Sequence, residues 1–176
     1  YFSLSSESPA LQELSFPFEP SGANIFYNES PGRGSMTPVY ADHGALGLMM
    51  GDDIDALLVV DRGIIGQYGA GDMVLFSLAR GSTSLTWLNA GKRGAGPADI
   101  FMAFPGMPAP LVLAPADLLG LRANDNVDAL DVFVCGGSCP QDLLLLHAIR
   151  DVAGDFDDDG IVGPSDFLEW GFAMTG

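Results

Sequence analysis

A chain of 176 residues with 23 acidic against seven basic side chains, a formal charge of −16, has almost nothing with which to neutralise a phosphate backbone. Nucleic acid is excluded as a partner on that ground, and an anionic membrane surface is disfavoured. Hydrophobic residues make up 48% and charged ones only 17%, so the surface is either rich in Gly, Ser and Ala or partly buried against other subunits. No apolar run approaches the roughly 20 residues of a membrane span.

Taken in chain order, the predicted elements are mostly short strands, and they come twice. Tyr1 opens directly into a strand-like segment, which reads as a mature or trimmed N-terminus. Phe2-Ser-Leu4 recurs as Phe76-Ser-Leu78, Ala23-Asn-Ile-Phe26 as Ala98-Asp-Ile-Phe101, and Leu46-Gly-Leu48 as Leu119-Gly-Leu121. Asp52-Asp-Ile-Asp-Ala-Leu57 recurs as Asp125-Asn-Val-Asp-Ala-Leu130. Between Gly44–Val60 and Asp117–Phe133, eight of seventeen positions are identical without a gap, at a period near 73. That period is too long, and two copies too few, for a solenoid. The expectation is two similar halves, about 1–62 and 73–134, packed about a pseudo-two-fold axis around one core.

In the second half, Met73–Leu78 is a short apolar run bounded by Gly-Asp and Arg-Gly; Asp99–Met102, Pro110–Leu113 and Ala129–Val134 are further runs. Ala114–Leu121 reads as one helical turn, with proline near its start and Gly120 near its end. The first half repeats this order less cleanly over 5–22. Residues 1–134 are thus expected to form a mainly β, internally duplicated domain of sandwich-like or barrel-like form.

Residues 140–153 change character. Pro140, an acidic first turn, and Leu143, Leu146, Ile149 and Val152 at three- and four-residue spacing predict a helix. Next, Asp155-Phe-Asp-Asp-Asp-Gly-Ile-Val-Gly-Pro-Ser-Asp166 places carboxylates at loop positions 1, 3, 5 and 12 and glycine at position 6, the spacing of an EF-hand-like calcium loop. A hard cation needs several oxygens at once, and a short loop supplies them only by folding back sharply. Asp155, Asp157 and Asp159 alternate inward, Ile161 offers its backbone carbonyl, and Asp166 closes the shell. Gly163, at position 9, has no side chain and leaves that place to water. Pro164 can open an exit helix with Phe167, Leu168, Trp170 and Phe172 as apolar contacts. The tail, 140–176, is therefore expected to be helix–calcium loop–helix, packed on the β-domain because its own core is small.

Position 12 is Asp, and Phe-Leu-Glu-Trp170 follows it. The segment 154–173 resembles the calcium repeat of dockerin modules and the single dockerin-type repeats that end many secreted bacterial proteins. The resemblance implies calcium binding and an extracellular location, secreted or at the cell surface. A cohesin-binding dockerin has two such repeats and uses positions 10 and 11 for recognition; here there is one repeat, with Pro164 and Ser165 at those places. Cohesin binding does not carry over.

Other residues leave alternatives open. Cys135 and Cys139, separated by Gly-Gly-Ser, fit a small-loop disulfide, with redox-active thiols as the weaker reading because the Cys-x-x-Cys spacing is absent. The pairs Asp52/Asp55 and Asp125/Asp128 either cap turns through their own backbone or hold further calcium. His43 and His147 read as structural. No Gly-x-Ser-x-Gly, phosphate loop or dinucleotide fingerprint is present in the sequence, and no enzyme is expected. Three functions compete. The first is a calcium-binding structural or surface protein that self-assembles into a homo-oligomer or docks onto an extracellular structure. The second is an extracellular carbohydrate- or protein-binding module, with Tyr68 and Trp87 as the aromatics to inspect. The third is a hydrolase, which needs convergent carboxylates across a cleft.

Overall fold

The computed structural model describes residues 1–13, 19–29, 38–88, 94–122, 124–134 and 144–149; of 132–134 and 144–149 it describes the backbone alone. The described residues are mainly β. The strands are β1 (Phe2–Ser3), β2 (Ile25–Phe26), β3 (Val39–Ala41), β4 (Ile54–Val60), β5 (Met73–Leu78), β6 (Ile100–Ala103), β7 (Leu111–Ala114), β8 (Ala129–Val134) and β9 (Leu144–Ile149). One short helix, α1 (Pro9–Glu13), and 3-10 turns at Thr83–Thr86 and Ala116–Leu119 complete them. Every pairing is antiparallel, in sheets ordered β1-β2-β3, β4-β5-β6-β7 and β8-β9. No helix among the described residues is long and apolar enough to cross a membrane.

The strand that lies deepest is the one with the most continuous apolar run. Val74 to Leu78 of β5 are all buried, as expected of a strand covered on both faces and paired on both edges. Its single polar residue is satisfied. The Ser77 hydroxyl donates to the Val127 carbonyl at 2.5 Å and accepts the Ala56 amide at 2.9 Å, tying β4, β5 and the segment entering β8 together. Val74, Phe76 and Leu78 join Ile25, Tyr40 and Phe101 in the larger core cluster, and Ala56, Ala98, Ile100, Ala116 and Val127 form a smaller one.

The local geometry recurs at the sequence period. Phe2 pairs with Phe26 as Phe76 pairs with Phe101. Ile25 and Phe26 pair with Ala41 and Val39, with a register shift between them; Ile100 and Phe101 pair with Ala114 and Val112, with the shift at the same place. The Ser3 hydroxyl donates to the Ile54 carbonyl as Ser77 does to Val127. Gly47 and Gly120, 73 residues apart, both take left-handed backbone, at φ 71° and 74°.

Sheets and sequence copies are nevertheless out of step by one strand. β4 belongs by sequence to the first half, yet it pairs with β5 of the second, from Leu57↔Phe76 to Val60↔Met73. β8 likewise pairs with β9, from Ala129↔Ile149 to Val134↔Leu144, and not with β1. The described pairings run onward along the chain.

One expectation is overturned. Residues 144–149, read as the middle of a helix over 140–153, form a strand. Their run of apolar residues satisfies a helical stripe and a buried strand equally well, and β8 decides between them by pairing along its whole length. The calcium loop and its exit helix lie outside the described residues.

Candidate functional site

The aspartates are best understood through one recurring turn. Asp52 accepts the Met49 amide at 2.7 Å, while its own amide donates to the Met49 carbonyl at 3.1 Å. The same reciprocal pair joins Asp72 to Gly69 (2.8 and 3.1 Å), Asp99 to Gly96 (2.8 and 3.1 Å) and Asp125 to Arg122 (2.7 and 3.0 Å). Each turn stands shortly before a strand: β4, β5, β6 and β8. A carboxylate one methylene from the backbone reaches an amide three residues back, which the longer Glu does less well.

The buried members Asp52, Asp72 and Asp99 use both carboxylate oxygens. Asp52, fully buried, takes the Ser84 amide at 2.8 Å and the Ser84 hydroxyl. Asp99, also fully buried, takes the Ala116 amide at 2.8 Å; in the first half Asn24 stands in its place and takes the His43 amide at 2.9 Å. Asp52 and Asp125 therefore occupy matching turns. Asp55 and Asp128 instead approach each other, both accepting from the Asn126 side-chain amide. No group of three or more His, Cys, Asp or Glu side chains converges as a metal site among the described residues. Asp155, Asp157, Asp159, Ile161, Asp166, Cys135 and Cys139 lie outside those residues, as does the side chain of His147. His43 is held by Asn24 through both its amide and its ring Nδ1, the latter at 3.3 Å.

The most concentrated polar chemistry lies elsewhere, around the loop 61–72 that separates the two halves. All four tyrosines of the chain gather there. Ring centroids lie 5.0 Å apart for Tyr1 and Tyr27, 4.9 Å for Tyr1 and Tyr40, and 5.5 Å for Tyr40 and Tyr68. Two carboxylates bracket the loop. Asp72, fully buried, accepts the amides of Arg62 (2.8 Å) and Gly63 (3.0 Å) besides that of Gly69. Burial alone would raise its pKa; the amides of Arg62, Gly69 and Gly63 overcome this and hold it below the ordinary 3.8. Asp61 accepts the Tyr1 hydroxyl and, at 2.7 Å, the Gly66 amide.

Three buried polar atoms here have no hydrogen-bond partner among the described residues: the hydroxyls of Tyr40 and Tyr68 and Oδ1 of Asp61. The Tyr40 hydroxyl lies beside the Asp72 carboxylate without closing a well-formed bond. Burial first, and the Asp72 charge second, push Tyr40 far above the usual tyrosine range and Tyr68 up to about 12. Tyr1 is raised to about 12 by burial and then by its bond to Asp61. At neutral pH these rings are protonated, and the Tyr1 hydroxyl is the one that donates, to Asp61 at the base of the loop. On the outer side, Gly63, Ile64, Gln67, Tyr68, Gly69 and Ala70 line a depression of about 300 Å³. Tyr68 thus sits at a concavity, whereas Trp87, 43% exposed, follows the 3-10 turn at Thr83–Thr86. Sequence reading had singled out Tyr68 but not Asp61 or Asp72. Their signal was a glycine-rich insertion bracketed by aspartates where the two halves meet.

No family model matches the chain, and no curated protein or solved structure matches it.

Proposed function

We propose that the protein is a calcium-binding structural or surface protein of the bacterial exterior, which self-assembles or docks onto an extracellular structure. The observation that carries this reading is the loop Asp155–Asp166, with oxygen ligands and glycine in calcium register. The low charged fraction, the internal duplication of 1–134 and two cysteines, Cys135 and Cys139, at the spacing of a small-loop disulfide accord with it. In this reading two duplicated halves build a mainly β body, and the calcium loop with its exit helix packs against it. Calcium offsets part of the −16 charge, so that copies approach one another. Calorimetric titration with calcium tests the site, and light scattering with and without chelator tests the assembly. Saturable binding lost in Asp157→Ala is expected, together with larger particles in millimolar calcium. Absence of binding sinks the calcium reading.

A second reading, a carbohydrate- or protein-binding module, is favoured by the depression at Tyr68, whose lining combines one aromatic ring, the Gln67 amide and two glycines. A glycan array separates it from the first.

A further inference from the structure

The duplication supplies a template for judging which sheet edges are complete. The strands β1-β2-β3 and β5-β6-β7 share order, direction, register and the position of their register shift. On the far edge of β5 lies β4, with Leu57 opposite Phe76. Among the described residues no strand pairs with the corresponding edge of β1. The consequence shows in the equivalent phenylalanines. Phe76 is 0% exposed, whereas Phe2 is 38% exposed and its neighbour Tyr1 43%. The segment Tyr1-Phe-Ser-Leu4 also contains none of the charges or prolines with which proteins blunt an open edge.

We infer that the open edge of β1 receives strand β8 of a second copy of this chain, Leu130 lying opposite Phe2 as Leu57 lies opposite Phe76. The inference rests on the self-assembly reading and gives it a geometry. β8 is chosen because it is the sequence counterpart of β4: Asp125-Asn-Val-Asp-Ala-Leu130 repeats Asp52-Asp-Ile-Asp-Ala-Leu57. Among the described residues of its own chain β8 pairs with β9 alone, and a two-stranded sheet is marginal by itself. Adding β8 to the neighbour's β1 turns a three-stranded sheet into the four-stranded form already present in β4-β5-β6-β7. It also covers Phe2 and Tyr1. The contact is strand addition at a sheet edge, head to tail, and it is open-ended because each copy has one such edge and one such strand among its described residues.

The test adds a synthetic peptide of residues 125–134 to the full chain in millimolar calcium, followed by sedimentation velocity and by anisotropy of a label on the peptide. The expected result is saturable binding that shifts assemblies toward the monomer. A peptide carrying Leu130→Asp, which leaves the protein itself untouched, should bind at least ten-fold more weakly. The chain variant Phe2→Asp should lose both self-association and peptide binding. If assemblies form but the peptide neither binds nor disperses them, or the Leu130→Asp peptide performs equally well, this geometry is wrong and the self-assembly reading survives. A chain that stays monomeric at every concentration overturns both.

Discussion

At the scale of single residues, the acidity of this chain is an architectural property before it is a surface one. Four aspartates close the same turn before four strands, and buried members pick up further donors from distant segments. Asp52 holds Met49 and Ser84 together across 35 residues of sequence. Asp52→Ala should therefore cost about 3 kcal/mol, because buried amides lose their acceptor. Asp125→Ala, in the matching but more exposed turn, should cost about 1 kcal/mol. Urea unfolding of the two variants checks the difference. The tyrosine cluster makes a separate forecast for pH. Asp72 has a depressed folded pKa, so its contribution is fully present above 3.8 and is lost as pH falls through the folded value. Asp72→Asn should flatten the acid limb of the stability curve. Tyr1 and Tyr68 are raised from 10 to about 12, so their contribution is complete below 10 and erodes as pH rises toward 12. Ultraviolet titration should show both ionising near 12, and Tyr68→Phe should remove part of the alkaline loss.

At the scale of elements, the equivalent glycines show how one backbone conformation can sit in two environments. A Cβ on Gly120 would meet nothing within 4 Å, so Gly120→Ala should cost only the left-handed penalty, about 1 kcal/mol. A Cβ on Gly47 would lie 2.7 Å from the Ala109 Cα and 2.8 Å from the Pro108 carbonyl, so Gly47→Ala should cost roughly 3 kcal/mol. Thermal melts of both variants measure the contrast. The same distinction between local signal and context governed what the sequence could reveal. β5 and β8 were legible to the residue, the first as an apolar run between Gly-Asp and Arg-Gly, the second as the run that follows the turn Asp125–Asp128. The turn before Gly120 was legible from its proline and glycine. β9 was not, since Leu144–Ile149 fits two periodicities and only its long-range partner decides. The pairing of β4 with β5 was equally hidden, because repeats reveal equivalence and say nothing of which copy a strand joins. Tyr68 stood out in the sequence but its cluster did not, for a related reason: the four tyrosines are spread from residue 1 to 68, and only the fold gathers them.

At the scale of the whole molecule, the shift of one strand between copy and sheet has a consequence for how the chain can be divided. A boundary drawn at 62–72, where the repeat suggests independent modules, cuts the β4–β5 hairpin and leaves each piece with a bare edge that fits the other. Fragments 1–66 and 67–176 should thus misfold when expressed singly and recover native hydrogen-exchange protection when expressed together. A first fragment that folds unaided would contradict this. The same offset bears on descent. A gene segment of one period, added or lost, brings a strand that completes its neighbour's sheet and leaves its own to be completed by the next. Such a chain can change length by whole periods without inventing a new interface, because the β4–β5 pairing already supplies the junction between one period and the next.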